Sequence, residues 1–322
     1  MSKYSIAIGS SVFLVFLCTI SIVASPRHAD TLTVSRTIPM PFALVRGNYA
    51  EWTGGNLVVI EGRFSKSPTL TTFDRDGKEV SKFSFTIPGA GLINIYDNSV
   101  SLAKDGSLAI VGTAYSSDSR GAAFVAWVSP DRQRQTLIRH TDFVPEAVTV
   151  SSDGTIWASG YKKKTEPGER IDNSHELIFR YDASGKLLGS ISPLSNTPDS
   201  TNLPPGRPPS ILVSLGERVG WYFPREQAYI EFSLDGSPVN RFKGPQHEIG
   251  DVITVAGCAN GNAFAASKSG TNWGIFFLNR ERGDWTFTPR HEKWGDLLGC
   301  DGTSLVAITD FDKISWLEAA TK

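Results

Sequence analysis

The stretch that decides the fold is PEAVTVSSDGTIWAS, residues 145–159, together with FRYDASGK, residues 179–186. It contains an apolar segment, a turn at Asp153-Gly154, a second apolar segment and a later turn at Ser184-Gly185. Asp followed by Gly tolerates the positive φ of a tight hairpin, and the flanking segments carry the β-branched and aromatic residues of strands. The stretch therefore predicts two antiparallel hairpins in succession.

The same pair of turns recurs along the chain. A first series occurs at six places, about 40 to 60 residues apart: Gly55-Asn56, Asp105-Gly106, Asp153-Gly154, Gly216-Glu217, Asn260-Gly261 and Asp301-Gly302. A second series lies between them: Asp76-Gly77, Pro130-Asp131, Ser184-Gly185, Asp235-Gly236 and Arg282-Gly283. Two hairpins per repeat give four antiparallel strands, which is one blade of a β-propeller.

The number of repeats predicts one all-β domain over residues 31–322, a six-bladed β-propeller with four antiparallel strands per blade. The sixth repeat runs out of chain after residues 314–319 and lacks its outer strand. Residues 31–38 alternate apolar and polar side chains, so this N-terminal strand would complete the last blade and close the ring. Closure removes an exposed sheet edge that would invite aggregation. Helices are not expected, because no segment after residue 30 keeps a 3.6-residue apolar period.

With these residues in view, the chain resembles the NHL-type propeller repeat. That family's pattern is a proline, a short apolar strand, an Asp-Gly turn, an aromatic second strand and an Asp-x-x-Gly turn. Residues 145–186 match this pattern closely, and residues 101–111 and 73–78 are weaker copies. The resemblance implies the six-bladed fold. Family members include binding modules, structural propellers and metal-dependent lyases or lactonases, so it does not imply one activity.

The charge balance argues against nucleic acid as a partner. Lys plus Arg (32) and Asp plus Glu (33) nearly cancel, which leaves a formal net charge of −1. A nucleic-acid-binding domain is expected to carry a basic face or stripe, and the sequence offers none.

The first 24 residues predict export. Lys3 precedes an apolar run from Ile6 to Ala24, followed by small residues and Pro26, which is the pattern of a signal peptide cleaved after Ala24. The run is also long enough to span a bilayer as an uncleaved signal anchor. The protein is therefore expected to be extracellular or periplasmic, with membrane contact only through this segment if it is not cleaved.

The segment after the export signal keeps two cysteines, Cys258 and Cys300. Each follows a glycine near the predicted end of an innermost strand, in neighbouring blades. In an oxidising compartment they predict a disulfide, whereas reducing surroundings would leave two buried thiols.

Long connections in blades two to four place the candidate binding site on one face. They are residues 115–122, 161–175 and 193–210, and they lie where the innermost strands begin. At the mouth of the central channel on this face we expect Asn98, Glu146, Asp251 and Asp296, with His247 and His291 just upstream. Carboxylate and amide oxygens suit Ca²⁺, and imidazole would favour Zn²⁺ or Mn²⁺. Trp52 and Trp294 near the mouth could stack on a sugar ring.

Three functions fit these features. The first is an exported binding module that presents its loop-rich face to a protein, peptide or glycan, because the sequence has no nucleophile elbow, phosphate loop or cysteine cluster. The alternative is a divalent-metal-dependent hydrolase or lyase at the channel mouth. Resemblance to lactonase-type propellers implies a Glu, Asn and Asp set, matched in type by Asn98, Glu146 and Asp251. The NHL-type lyases place His after the proline that opens the inner strand, and here Glu146 follows Pro145. A structural role in the cell envelope is a third possibility.

Overall fold

The structure, a computed structural model, describes residues 32–43, 48–118, 120–163, 175–194, 209–245, 251–269, 272–289 and 294–319. These residues form 25 β-strands and one short 3-10 turn, Pro224–Glu226, and no α-helix occurs among them. The predicted all-β class is therefore confirmed. The export segment 1–24, with its predicted cleavage after Ala24, lies outside the described residues.

The strands pair mainly with their neighbours in sequence, as antiparallel hairpins. The first set contains β2 (Tyr49–Thr53), β3 (Asn56–Glu61), β5 (Thr69–Phe73) and β6 (Glu79–Ser84). The second contains β7 (Leu92–Leu102), β8 (Leu108–Tyr115), β9 (Gly121–Val128) and β10 (Gln135–His140), with the short β4 (Phe64–Ser65) paired to β7. The third contains β11 (Phe143–Val150), β12 (Ile156–Lys162), β13 (Glu176–Tyr181) and β14 (Leu187–Ile191).

The remaining sets repeat this order. The fourth contains β15 (Ile211–Ser214), β16 (Arg218–Phe223), β17 (Ala228–Ser233) and β18 (Pro238–Lys243). The fifth contains β19 (Asp251–Gly257), β20 (Ala263–Ser269), β21 (Asn272–Asn279) and β22 (Asp284–Pro289). The last contains β23 (Trp294–Asp301), β24 (Ser304–Thr309), β25 (Lys313–Ala319) and β1 (Leu32–Pro39). A parallel bridge between Trp52 and Gly299 joins the first and last sets into one eight-stranded sheet.

The N-terminal strand pairs as predicted with the C-terminal one. β1 runs antiparallel to β25, with Leu32 opposite Ala319 and Pro39 opposite Lys313. A register shift between Val34 and Arg36 bends the strand without breaking the pairing. The last four-stranded set is therefore built from both ends of the described chain.

The predicted turns adopt the backbone that tight hairpins require. All six glycines of the first series have positive φ, between 61° and 88°: Gly55, Gly106, Gly154, Gly216, Gly261 and Gly302. In the turn at Gly154, Asp153 accepts hydrogen bonds from the Thr155 amide at 3.1 Å and from the Ser151 hydroxyl at 2.6 Å. The side chain of Asp153 thus satisfies the polar groups of a turn that Gly154 makes sterically possible.

The core lies between neighbouring sets, as expected for packed blades. Three strand tryptophans, Trp157, Trp221 and Trp316, are fully buried in this core. Trp157 lies 6.3 Å from Phe232 of the next set, and the Arg180 guanidinium lies 5.3 Å from the Trp157 ring centroid. Apolar burial of such large rings is the main stabilising contribution between the sets.

Charged groups also join two sets. Glu231 on β17 is completely buried and accepts hydrogen bonds from Arg218 at 3.0 Å, Asn240 at 2.9 Å and Arg280 at 2.5 and 2.7 Å. Arg280 belongs to the neighbouring fifth set, so this ion network crosses the interface. A buried carboxylate requires such partners to remain charged.

The predicted disulfide between Cys258 and Cys300 is present, with the two Cα atoms 5.2 Å apart. It links the end of β19 to β23 and therefore ties the fifth set to the last. Within the described ranges, no helix combines the length and apolar character needed to cross a membrane.

Candidate functional site

A cavity of about 640 Å³ opens where the innermost strands β7 and β11 begin, and we call it the loop-face cavity. Its wall contains the aromatic residues Phe64, Tyr96 and Tyr161 and the carboxylates Asp97 and Glu146. Tyr161, near the end of β12, and Pro209, just before β15, complete this part of the wall. Tyr161 and Pro209 belong to the segments 161–175 and 193–210, two of the long connections predicted to mark the binding face.

A bulge in β7, residues 96–99, shapes one wall of this cavity. Ile95 pairs with Gly112 and Val100 pairs with Ile110, so four residues of β7 face the single Val111 of β8. Such an insertion changes the direction of the side chains, so that they no longer alternate regularly between the two faces of the strand. Tyr96 and Asp97 consequently line the loop-face cavity, whereas Asn98 lines the central channel.

The central channel is a narrower cavity of about 90 Å³. Its wall receives residues from the innermost strand of every set, for example Glu51, Asn98, Thr149, Ser214, Thr254 and Leu298. The bulge thus separates two cavities, one at the loop face and one along the axis.

Tyr49, Glu51 and Asn98 form a hydrogen-bonded group at this boundary. The Tyr49 hydroxyl accepts a hydrogen bond from the Asn98 backbone N–H at 2.9 Å. The same hydroxyl lies 3.2 Å from Glu51 Oε2 and 3.2 Å from Asn98 Oδ1. Asn98 has a φ of 56°, the left-handed conformation that a non-glycine residue rarely adopts.

Confinement changes the acidity of this group. Burial raises the pKa of Glu51 to about 8, the Tyr49 hydrogen bond opposes the shift, and the negative charge of Asp97 adds to it. Burial, followed by the nearby Glu51 charge, raises the pKa of Tyr49 well above its ordinary value. Glu51 is partly buried in the channel wall, and with this raised pKa it is mostly a neutral acid at pH 7.

Sequence reasoning missed Tyr49 and Glu51. The signal that could have found them is the two-residue period of β2, because Tyr49, Glu51 and Thr53 share one face of this innermost strand. An acidic residue on the channel-facing side of an innermost strand is a better candidate than one in a preceding loop.

The predicted carboxylates do not share one site in the described structure. Asn98 lines the channel, whereas Glu146 lines the loop-face cavity. Asp296 is exposed on an irregular part of β23. Asp251 begins β19, but its side chain lies outside the described part of the structure. Among the described side chains, no group of three His, Cys, Asp or Glu residues is placed to hold a metal ion.

Of the other predicted residues, His247 and His291 lie outside the described ranges. The structure describes Trp52 and Trp294 and corrects their predicted role. Trp52 is 3% exposed and packs edge-on against Trp316 at 5.2 Å between ring centroids, and Trp294 is 8% exposed. Both rings are therefore buried in the core and do not present an exposed face for stacking on a sugar.

Comparison with known proteins supports the fold. No family model matches the chain, and no curated protein sequence matches it. Among solved structures, a predicted exported protein of Bacteroides fragilis NCTC 9343 superposes with a TM-score of 0.55 at 12% identity, over 91% of this chain and 98% of that one. The β-propeller domain of Cps50 (Swd1) from Myceliophteria thermophila gives a TM-score of 0.48 at 11% identity, over 90% and 100%. Streptogramin B lyase gives 0.47 at 11% identity, over 88% and 98%. The repeated four-stranded antiparallel sets, each with its innermost strand at the central channel, give the chain a β-propeller fold.

Proposed function

We propose that the protein is an exported, six-bladed β-propeller that binds an extended peptide segment of a partner protein in the loop-face cavity. The observation that carries this proposal is the cavity itself, whose wall combines aromatic side chains with the carboxylates Asp97 and Glu146 and the guanidinium of Arg63. Its volume of about 640 Å³ lies within the usual range of ligand sites.

Contacts between innermost strands support a closed ring of six blades. β2 contacts β7, β7 contacts β11, β11 contacts β15, β15 contacts β19, β19 contacts β23, and β23 contacts β2 again. The pairing of β1 with β25 supplies the fourth strand of the last set. In this arrangement each four-stranded set is one blade, and the sixth blade combines β1 with β23, β24 and β25. We also propose that the repeats are of the NHL type, which the pattern of residues 145–186 supports.

Two features of the cavity favour a peptide over a glycan. Phe64 is 62% exposed at the cavity wall, where it can anchor an apolar side chain. Phe64 also belongs to β4, which is the last strand of the five-stranded sheet. An extended peptide can pair with the outer edge of such a strand through its backbone, which a glycan cannot do.

Export is supported by the disulfide and by the apolar run Ile6–Ala24. Structural disulfides persist mainly in oxidising compartments outside the cytosol. Intact-mass measurement of the native protein tests this point. A mass that lacks residues 1–24 supports cleavage, a mass that includes them indicates a signal anchor, and a reduced cytosolic pool contradicts export.

Binding is tested with purified, disulfide-intact protein on a peptide array and, in parallel, on a glycan array. We expect Phe64→Ser to weaken binding of the peptides that the wild type binds at least tenfold, because exposed aromatic anchors dominate such interfaces. Tyr161→Ser should weaken binding of the same peptides. The matched control is Val239→Ser, since Val239 is 51% exposed but lies on the outer strand β18.

The outcomes separate the possibilities. Peptide binding that depends on Phe64 and Tyr161 supports the proposal. Binding confined to the glycan array replaces the peptide with a glycan. Binding that neither substitution changes would place the ligand elsewhere and contradict the assignment of the cavity.

A further inference from the structure

We propose that Tyr49, Glu51 and Asn98 form a proton-dependent switch that sets the shape of the β7 bulge and thereby regulates the loop-face cavity. The regulatory role rests on the proposed function of that cavity. The switch itself can be measured without any ligand.

The switch follows from counting protons around the Tyr49 oxygen. This oxygen already accepts the Asn98 N–H, and its single proton faces two acceptors at 3.2 Å, Glu51 Oε2 and Asn98 Oδ1. A tyrosine hydroxyl donates one hydrogen bond, so it cannot satisfy both acceptors fully. The state of Glu51 therefore decides which acceptor receives the proton.

The two protonation states give two hydrogen-bond patterns. When Glu51 is protonated, its O–H donates to the Tyr49 oxygen, and Tyr49 donates to Asn98 Oδ1. Both oxygens that face the Tyr49 hydroxyl, Glu51 Oε2 and Asn98 Oδ1, then take part in a hydrogen bond with it. When Glu51 is ionised, its charged oxygen is the stronger acceptor and takes the Tyr49 proton. Asn98 Oδ1 then loses its donor, and one of the two contacts that hold Asn98 is gone.

Asn98 transmits this change to the cavity because it lies within the bulge. Its left-handed backbone, with a φ of 56°, is an unfavourable conformation that surrounding contacts must hold in place. The adjacent Asp97 lines the cavity and forms an ion pair with Arg63, and Tyr96 lines the cavity while hydrogen-bonded to Thr113. Weakening the hold on Asn98 should therefore loosen the cavity wall formed by Tyr96 and Asp97.

The surroundings place the transition in an accessible pH range. From β7, the Asp97 carboxylate, which is paired with Arg63, disfavours a second negative charge. From β11, β15, β19 and β23, the described residues that line the channel carry no charged side chain. Burial is the largest cause of the raised pKa of Glu51, about 8, so the switch should operate in mildly alkaline solution.

Hydrogen–deuterium exchange of the β7 segment tests the switch in the full, disulfide-intact protein. After correction for intrinsic exchange, local opening of residues 96–99 should increase about fivefold to tenfold between roughly pH 6.5 and pH 9.5, as expected for loss of one hydrogen bond. Glu51→Gln should remove this increase, since the amide N–H₂ donates to Tyr49 at every pH. Tyr49→Phe should show the open level at both pH values.

Two comparisons make the test specific. The exposed Glu79 on β6 serves as the control, because Glu79→Gln should behave like the wild type. The β16 segment Arg218–Phe223 reports global opening and should show no matching increase. An increase in Glu51→Gln equal to that of the wild type, or no increase in the wild type, overturns the switch.

The switch and the proposed function fail in different ways. A pH response in β7 without any Phe64-dependent ligand leaves the switch standing and removes its regulatory role. Phe64-dependent peptide binding without a pH response in β7 leaves the binding function standing and overturns the switch.

Discussion

Replacing Glu51 with glutamine should stabilise the protein at alkaline pH and change its stability little at acidic pH. The ordinary pKa of this carboxyl is 4.5, whereas enclosure in the channel raises the folded-state pKa to about 8. Between these values the folded protein holds a proton that the unfolded chain has released. The free energy of unfolding therefore falls as pH rises through this interval, and the effect levels off above the folded-state pKa.

The size of this effect on the free energy of unfolding follows from the difference between the two pKa values of Glu51. One unit of pKa difference corresponds to about 1.4 kcal/mol, so a shift from 4.5 to about 8 sets an upper limit of roughly 5 kcal/mol. Because the Glu51 side chain is only partly buried, we expect about 2 to 3 kcal/mol in practice. Glu51→Gln removes this penalty. The free energy of unfolding of the variant should therefore exceed that of the wild type by this amount at about pH 9. At about pH 5 the difference should be less than about 1 kcal/mol.

Urea unfolding followed by tryptophan fluorescence, at several pH values and without reductant, measures the difference. Glu79→Gln, on the exposed outer strand β6, should track the wild type throughout. A stability difference between Glu51→Gln and the wild type that stays constant with pH would refute the reasoning. So would a variant that is less stable than the wild type at alkaline pH.

His140 makes the stability depend on pH in the opposite sense to Glu51. This contribution cancels when the wild type is compared with Glu51→Gln. Its ring nitrogen lies 2.6 Å from the Tyr181 hydroxyl, and burial lowers the pKa of His140 below its ordinary value of 6.5. The unfolded chain therefore binds a proton at this residue before the folded protein does, and stability is lost as pH falls below about 6.5. Wild type and Glu51→Gln share this loss, so it cancels in their difference.

Three further predictions test the framework and the alternative function. Replacing Cys258 and Cys300 together by alanine should lower the free energy of unfolding by about 4 kcal/mol, the loop-closure entropy of a 42-residue loop, as measured by urea unfolding against the oxidised wild type. Glu231→Gln should cost about 3 kcal/mol, because two arginines lose their charged partner; a loss below about 1 kcal/mol would contradict this account. For the hydrolase or lyase alternative, Ca²⁺ or Mn²⁺ should raise the melting temperature and EDTA should lower it, with the response lost in Asp251→Ala and kept in Asp235→Ala. Identical melting with metal and with EDTA would remove support for that alternative.

The fold was largely predictable because its signals are local. A tight hairpin requires a residue that accepts positive φ, and the chain places glycine at all six turns of the first series. The pairing of residues 32–39 with β25 was also predictable, since the last repeat lacked one strand and the N-terminal segment alternated correctly. The disulfide followed from two cysteines at equivalent ends of neighbouring innermost strands.

The site was less predictable because strand register and bulges decide which cavity a side chain faces. Asn98 and Glu146 both stand near the start of an innermost strand, yet they line different cavities. The cause is the four-residue bulge in β7, whose length is set by pairing with β8 on one side and β4 on the other. β8 follows β7 directly in the chain, but no local pattern in residues 92–102 shows where the pairing with β8 is interrupted and where it resumes.

The hydrogen bonds of Tyr49 explain why the bulge can persist. A non-glycine residue in the left-handed region costs roughly 1 to 3 kcal/mol unless its surroundings hold it there. Asn98 is held by the Tyr49 hydroxyl, through its N–H at 2.9 Å and its Oδ1 at 3.2 Å. Tyr49 belongs to β2 and Asn98 to β7, so the conformation of one set depends on a side chain from its neighbour. The wall of the loop-face cavity is therefore a product of the interface between two sets. A substitution at Tyr49, which does not line that cavity, should alter it as surely as one at Asp97, which does.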